Sequence, residues 1–200
     1  MSDLNVSRET MQRLEHYLSL LKKWNPSINL VAKSTIDEAW TRHFTDSIQI
    51  YRHAPENWKI WADLGSGGGF PGAVIAIMAQ ELNPAGTVSL VESDQRKSTF
   101  LRTVFRETGV NAKVIPQRIE ATEPLNADII SARALAELTT LLEFAHIHGK
   151  PSVTCLFPKG ESWEKELLVA QESWSFGCEV IKSETNPQAT VLKVKDLTRA

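Results

Sequence analysis

The stretch 65–69 contains four glycines and lies between an apolar run at 60–64 and a small-residue run at 73–79. The first run predicts a buried strand and the second run predicts a helix. Glycine adopts positive φ, and its missing Cβ allows a ligand to approach the backbone closely. A strand, a glycine turn and a helix in this order are typical of nucleotide sites in doubly wound α/β folds. The sequence therefore predicts a nucleotide-like ligand at this turn.

Glu92 ends the next predicted strand, 87–92, about 20 residues beyond the glycines, where a carboxylate accepts hydrogen bonds from a ribose diol. The alternative is a solvated acid at a strand end. NAD and S-adenosylmethionine both fit these features. Phe70 and Pro71 place a bulky ring at the helix entry, which favours a ligand without a pyrophosphate. Asp63, just before the turn, either faces the positive end of the ligand or caps the glycine turn.

Strands and helices alternate from residue 60 onward, which predicts a mostly parallel sheet with right-handed crossovers. The predicted strands are 60–64, 87–92, 113–115, 127–131, 152–157, 179–183 and 190–194, and the fifth is expected to stop at Pro158. The predicted helices are 73–79, 95–108 with a Gly109 cap, 134–145 and 162–172. Residues 1–50 look helical, with one helix from about Ser7 to Trp24 and a second from Ser34 or Thr35 to Tyr51.

Composition restricts the class of protein. The chain has 200 residues, 42% of them hydrophobic, and a formal charge of −2, which is typical of a globular protein and argues against wholesale coating of nucleic acid. No apolar run approaches the roughly 18 residues of a membrane helix. Residues 1–5 show no start of a signal peptide, so a cytoplasmic location is expected. Cys155 and Cys178 are too few for a disulfide framework or a metal site, and no metal is expected.

Several further blocks occur in a fixed order, and together with the glycine turn they resemble the bacterial 16S rRNA (guanine-N7) methyltransferase family, known as RsmG or GidB. The blocks are Trp24-Asn25 with Ile28-Asn29-Leu30, Arg42 to Ser47, Asp63 to Gly72, Glu92-Ser93 with Arg96-Lys97 and Phe100-Leu101, Arg118 to Glu120, Ser131 to Ala134, and Lys159-Gly160. The glycine turn alone is generic, whereas the ordered set spans nearly the whole chain.

The resemblance implies a Rossmann-like methyltransferase sheet of seven strands with a reversed terminal strand, S-adenosylmethionine as methyl donor, and 16S rRNA of the small ribosomal subunit or its assembly intermediate as partner. The cofactor contacts that it implies are Gly65, Phe70, Ile119, Glu120 and Arg133. The turn and ribose arguments add Asp63, Gly67, Gly69 and Glu92. One feature departs from the family, because residues 186–190 contain no arginine before the final strand.

Methylation of guanine N7 agrees with a sequence in which no catalytic base is identified. N7 carries a free lone pair, so no catalytic base is required and alignment with the methyl donor suffices. Arg133 is expected to orient the cofactor or hold guanine O6, or else to pair with Asp128 or Glu137. His43 and Asp46 lie one helical turn apart, and the histidine is a possible positioning group.

Cationic residues around the expected pocket could hold RNA phosphates. The candidates are Arg42, Arg96, Lys97, Arg118 and Lys159. A cytosine-C5 enzyme would need an exposed, activated cysteine, whereas Cys155 lies in an apolar strand and Cys178 is expected in a turn beside Gly177. We expect one methyltransferase domain over 1–200, with 1–55 as a helical extension and 56–200 as the cofactor-binding body.

Three alternative classes stay open at this point. The same fold serves methyltransferases that act on a small molecule or a protein, and the charge near zero slightly favours such an enzyme. A non-catalytic RNA-binding assembly factor with a vestigial loop is a second alternative, and an NAD-dependent oxidoreductase is a third. The ordered blocks disfavour the first, and the intact glycine turn with Glu92 disfavours the second.

Overall fold

A computed structural model describes residues 6–200, and residues 1–5, on which the signal-peptide expectation rested, lie outside the described part. Seven strands form one sheet in the order β3-β2-β1-β4-β5-β7-β6. Their bounds are Ile60–Leu64 (β1), Thr87–Val91 (β2), Lys113–Ile115 (β3), Ala127–Ser131 (β4), Gly149–Lys159 (β5), Trp174–Lys182 (β6) and Thr190–Arg199 (β7). β1 to β5 pair in parallel, and β7 runs antiparallel to both of its neighbours. The predicted mostly parallel sheet with a reversed terminal strand is confirmed.

Six α-helices accompany the sheet in residues 6–200. They are Arg8–Ile28 (α1), Asp46–Arg52 (α2), Gly72–Leu82 (α3), Gln95–Thr108 (α4), Leu138–His148 (α5) and Trp163–Ala170 (α6). The bounds of α4 are those predicted from the sequence. Asp94 caps its first turn by accepting from two backbone amides, and Gly109 ends it at φ +66°. No helix among residues 6–200 is long and apolar enough to cross a membrane.

The strand predicted to stop at Pro158 instead continues to Lys159, so that prediction was wrong. β5 pairs with β4 only as far as Leu156, whereas Pro158 still pairs with Val191 of β7. A proline lacks an N–H, and it is tolerated where one side of the strand has no ladder partner. The predictions for β6 and β7 were too short, because β6 begins five residues earlier, at Trp174, and β7 ends five residues later, at Arg199. Exposed side chains interrupt the apolar pattern in both added stretches.

The first helix continues through Pro26 to Ile28, whereas the sequence predicted an end at Trp24. Pro26 lies in the last turn of the helix, where its missing N–H removes one hydrogen bond and no further turn has to follow. Asn29, in the left-handed conformation, then ends the helix. The core-facing side of α1 includes Leu14, Tyr17 and Leu21.

The second N-terminal helix does not begin at Ser34 or Thr35. A short 3₁₀ turn, Lys33–Thr35, is followed by a wide π-type helix at Trp40–Thr45 that runs into α2. The hydroxyl of Thr35 donates to the carbonyl of Ala32, so it does not cap a helix. Wide turns of this type often occur at functional sites, and this one contains Arg42 and His43.

The helix predicted from Ala134 begins only at Leu138. Ala134 has a φ of +52°, which a helix does not tolerate, and residues 134–136 instead face a cavity. The helix also ends later than predicted, at His148 instead of residue 145, with Gly149 as its C-cap.

One core cluster joins the N-terminal helices to the body. It includes Leu14, Tyr17 and Phe44 together with the buried faces of α3 and α4. A second cluster fills the opposite face of the sheet beneath α5 and α6. The N-terminal segment therefore packs beside the carboxyl ends of β1 and β2, where the glycine turn lies.

Candidate active site

A cavity of about 780 Å³ opens at the carboxyl ends of β1, β2 and β4. This is the position at which open α/β sheets bind ligands. Its walls come from four separate parts of the chain. They are residues 30–32, 35 and 43 of the N-terminal segment, residues 65–68 and 70 of the glycine turn, residues 91–93, 97 and 117–120 after β2 and β3, and residues 133–136, 140 and 144 after β4.

The glycines of the turn have different roles. Gly67 has a φ of +57°, and a Cβ there would meet only the Gly65 carbonyl at 3.9 Å, so its backbone faces open space in the cavity. Gly69 has a φ of +95°, and a Cβ there would lie 2.5 Å from the Tyr17 hydroxyl. Gly69 is therefore needed for packing under the turn, and it does not line the cavity.

Glu92 lies at the end of β2 with its carboxylate fixed by two backbone amides. The Gly67 N–H donates to Oε2 at 2.7 Å, and the Asp94 N–H donates to Oε1 at 2.7 Å. The side chain is nearly buried but lines the cavity. Each carboxylate oxygen retains a further lone pair, so the group is preorganised to accept hydrogen bonds from a diol.

Asp63 does not line the cavity, although the sequence made it a candidate cofactor contact. It is completely buried, and its Oδ1 accepts from the Ser131 hydroxyl at 2.7 Å. Its Oδ2 lies beside Gly72 at the start of α3. Of the two alternatives left open by the sequence, these contacts favour the one in which Asp63 caps the glycine turn over the one in which it faces the ligand.

Burial raises the pKa of Asp63 from 3.8 to about 6, while the hydroxyls of Ser66 and Ser131 and the amide of Gly72 partly oppose this rise. At neutral pH the carboxylate is therefore charged and lies at the positive end of the α3 dipole. A pyrophosphate bound at the same helix end would meet this charge, which disfavours a dinucleotide.

Arg133 forms a polar centre with residues of the N-terminal segment. Its Nη1 donates to Asp46 Oδ2 at 3.2 Å and to the Arg42 carbonyl at 3.1 Å. Its Nη2 donates to His43 Nδ1 at 3.0 Å, and the guanidinium lies 5.2 Å from the centre of the Phe70 ring. The alternative pairings with Asp128 or Glu137 were wrong, because the partner comes from a distant segment.

The hydrogen bonds of His43 determine its tautomer. Nδ1 accepts from Arg133, so Nε2 carries the proton and donates to Thr35 Oγ1 at 2.9 Å. Burial and the charges of Arg133 and Arg42 lower the pKa of His43 to about 4. The imidazole is therefore neutral at pH 7, and it holds Arg133 without a charge of its own.

A second cavity, of about 750 Å³, shares Thr35, His43 and Arg133 with the first. The loop after β6 forms its far wall, and Thr185 of that loop donates to Asp46 Oδ1 at 3.0 Å. Arg133 thus lies between two adjoining cavities.

The predicted cationic contacts are spread over this region. Lys97 and Arg118 line the first cavity, and Arg42 and Lys159 line the second. Arg96 lines neither cavity and lies 3.6 Å from Asp94.

Lys159 differs from the other predicted RNA contacts because it is nearly buried. Its Nζ donates to the Ala136 carbonyl at 2.8 Å and to Glu166 at 2.7 Å. Glu166 in turn accepts from the first amide of α5, that of Leu138. The pair therefore supports the start of α5, and its charge is already neutralised.

The predicted cofactor contacts that line the first cavity are Gly65, Gly67, Phe70, Glu92, Ile119, Glu120 and Arg133. Sequence reasoning missed Tyr17, whose buried hydroxyl donates to the Gly68 carbonyl. It also missed Thr140 and Phe144 on α5. Their four-residue spacing was visible, but the sequence did not show which face of this apolar helix meets the cavity.

Neither cysteine lies in a position suited to catalysis. Cys155 is completely buried in β5, and burial raises the pKa of its thiol to about 12. Cys178 lies within β6, not in the predicted turn, and burial also raises its thiol pKa. Within residues 6–200, no three His, Cys, Asp or Glu side chains are grouped so that they could hold a metal ion.

The sheet order, the reversed strand and the cavity at the β1 turn define the class of Rossmann-like methyltransferases. A solved S-adenosylmethionine-dependent methyltransferase from Aquifex aeolicus has this fold, with a TM-score of 0.63, 14% identity, and 88% of this chain and 97% of that chain covered. A methyltransferase from Geobacter sulfurreducens gives a TM-score of 0.62 at 11% identity, with 92% and 88% covered.

Sequence comparison is more specific than fold comparison. The model of the rRNA small subunit methyltransferase G family, GidB, matches residues 10–190. A ribosomal RNA small subunit methyltransferase G from Ruegeria pomeroyi is 54% identical over 196 residues, with 98% of this chain and 96% of the relative covered. One from Cereibacter sphaeroides is 48% identical over 197 residues, with the same coverage. The chain belongs to the rRNA small subunit methyltransferase G family.

Proposed function

We propose that the protein transfers a methyl group from S-adenosylmethionine to N7 of a guanine in 16S rRNA of the small ribosomal subunit or its assembly intermediate. The observation that carries this proposal is the pair of adjoining cavities that meet at Arg133, one of them built on the glycine turn and Glu92. Membership of the rRNA small subunit methyltransferase G family supports the choice of RNA as substrate. The proposal includes one domain over residues 1–200 and a cytoplasmic location.

The first cavity suits S-adenosylmethionine in several respects. The open backbone at Gly67 leaves room for the ligand, and the fixed Glu92 carboxylate is placed to accept from the ribose. The volume lies within the range of small-molecule sites, and the Asp63 charge beneath α3 disfavours phosphate. When bound, S-adenosylmethionine supplies an electrophilic methyl group on a sulfonium.

The second cavity is proposed to receive the acceptor base. Guanine N7 needs no deprotonation before attack, so the chain has to position the base and exclude water. His43 and Asp46 hold Arg133 from two sides, which fixes a planar donor between the cavities. That donor can hold guanine O6 or the methionine carboxylate. Lys97, Arg118 and Arg42 line the cavities, and we propose that they contact RNA phosphates.

A transfer assay tests this proposal. The protein is incubated with methyl-labelled S-adenosylmethionine and either naked 16S rRNA or small subunits from a strain that lacks the modification. Reduction and aniline cleavage then locate N7-methylguanine in the product. We expect label at one guanine of 16S rRNA. Transfer to a small molecule or protein with none to RNA would overturn the proposal, and cofactor binding without transfer would favour a non-catalytic assembly factor.

A further inference from the structure

One face of α5 runs along the first cavity. Thr140 and Phe144 lie on this face and line the cavity, and His148 follows at the same four-residue spacing. Residues four apart on a helix lie above one another, so His148 continues this row at the C-terminal end of α5. The 3₁₀ turn Ile119–Ala121 forms a neighbouring wall, with Ile119 and Glu120 lining the cavity. Both walls belong to the first cavity, and His148 lies just beyond the part of α5 that lines it.

His148 joins the two walls directly. Its side chain is completely buried, and its Nε2 lies 3.1 Å from the Ile119 carbonyl oxygen. Because that oxygen can only accept, Nε2 carries the proton and Nδ1 is left as an acceptor. Nδ1 has no hydrogen-bond partner within residues 6–200. Burial lowers the pKa of His148, which keeps the ring neutral at pH 7.

Stability alone does not explain a histidine at this position. A buried acceptor without a partner costs about 1–3 kcal/mol, and an apolar side chain of similar size would avoid that cost. The Ile119 carbonyl also accepts from the Thr122 N–H at 3.1 Å, so the turn has its own hydrogen bond without His148. What the histidine adds is a fixed separation between the turn and α5.

We propose that His148 is a positioning residue, which holds the Ile119–Ala121 turn at the separation from Phe144 that the adenine ring of the cofactor requires. The inference rests on the proposed function, because it takes S-adenosylmethionine as the ligand. β2 lies between β1 and β3 in the sheet, so the ribose acceptor Glu92 lies between the glycine turn and the residues after β3. A ligand with its ribose at Glu92 and its methionine at the glycine turn has its adenine at Ile119. An apolar and an aromatic wall then suit a flat base.

The test measures binding of S-adenosylmethionine and of 5′-methylthioadenosine, which has the adenine and ribose without the amino acid, by titration calorimetry. His148→Phe keeps a ring but removes the donor, and we expect Kd for both ligands to rise about tenfold. His148→Leu makes the same comparison if the phenylalanine variant does not fold. His148→Gln retains an N–H donor, and we expect it to restore Kd to within about threefold of the parent. At saturating S-adenosylmethionine, kcat should be unchanged in all three.

Val194→Ala is the matched control, because Val194 is completely buried in the core cluster that also contains Ile119 and does not line the cavity. We expect it to lower Tm without changing either Kd. An unchanged Kd in His148→Phe and His148→Leu would overturn the role of His148. An equal rise of Kd in the Val194→Ala control would overturn it too. A rise for S-adenosylmethionine but not for 5′-methylthioadenosine would also overturn it. If the parent protein binds neither ligand, the proposed function itself fails.

Discussion

Replacing Gly67 by valine would separate the binding role of the glycine turn from its role in folding. Gly67 has a φ of +57°, which costs a residue with a side chain about 1–2 kcal/mol. A Cβ at this position meets only the Gly65 carbonyl oxygen, at 3.9 Å, so no clash adds to the strain. For a chain of this length we expect Gly67→Val to lower Tm by about 2–8 °C.

The same valine would occupy space in the first cavity, which Gly67 lines. Forcing extra methyl groups into a filled site costs about 1–3 kcal/mol, so we expect Kd for S-adenosylmethionine to rise roughly 5- to 150-fold. Gly67→Ala carries the same backbone strain with less volume, and it should give a smaller rise. Titration calorimetry gives Kd, and thermal unfolding of the unliganded protein gives Tm.

Gly109→Val is the matched control for strain. Gly109 has a φ of +66° at the end of α4, and a Cβ there would meet nothing within 4 Å. We expect a similar loss of Tm and an unchanged Kd. An unchanged Kd in Gly67→Val would place the cofactor elsewhere, and an equal rise in Gly109→Val would show that binding merely follows stability.

Three further predictions concern charged side chains, of which the first two are buried or nearly so. Because burial raises the folded-state pKa of Asp63 from 3.8 to about 6, its ionisation destabilises the protein by about 3 kcal/mol as pH rises from about 4 through 6. About half of that loss lies above pH 5, so Asp63→Asn should remove roughly 1.5 kcal/mol of the stability change between pH 5 and pH 8. Urea unfolding at pH 5 and pH 8 checks this, and an unchanged pH dependence would refute it. Lys159→Met should destabilise the protein by about 3 kcal/mol, since it leaves Glu166 without its partner, but keep the salt dependence of RNA affinity. Arg118→Met should instead lower the slope of log affinity against log salt concentration by about one. If Lys159→Met also lowered this slope, Lys159 would be an RNA contact after all.

Local signals predicted those elements whose ends are determined by their own residues. The Asp94 cap and Gly109 fix both ends of α4, and the apolar run before the glycine turn fixes β1. Such signals failed where a tertiary neighbour decides the outcome. Pro158 stays in β5 because β4 has already ended beside it, and no property of residues 152–159 reveals where β4 ends.

The candidate site, like the fold, was predictable only where strand order and local spacing determine it. The turn and Glu92 follow from strand order and spacing, because the ends of neighbouring parallel strands meet at one edge. The partners of Arg133 do not follow from strand order, because Asp46 and His43 precede it by 87 and 90 positions in the sequence. Asp63 was ambiguous for a related reason, since only the distant hydroxyl of Ser131 reveals which way its carboxylate points.

The N-terminal segment completes the site and is not an accessory to it. The carbonyl of Gly68 accepts from Tyr17, and a Cβ on Gly68 would lie 2.9 Å from the Leu30 carbonyl oxygen, so the glycine turn is packed against this segment. His43 and Asp46 then hold Arg133, and Asp46 also binds the loop after β6. Without these residues the sheet would still present a glycine turn and Glu92, but both cavities would lose a wall, because residues 30–43 line the first and residues 35–46 line the second. The sheet alone therefore does not complete either cavity, and each depends on contacts between the sheet and the N-terminal segment.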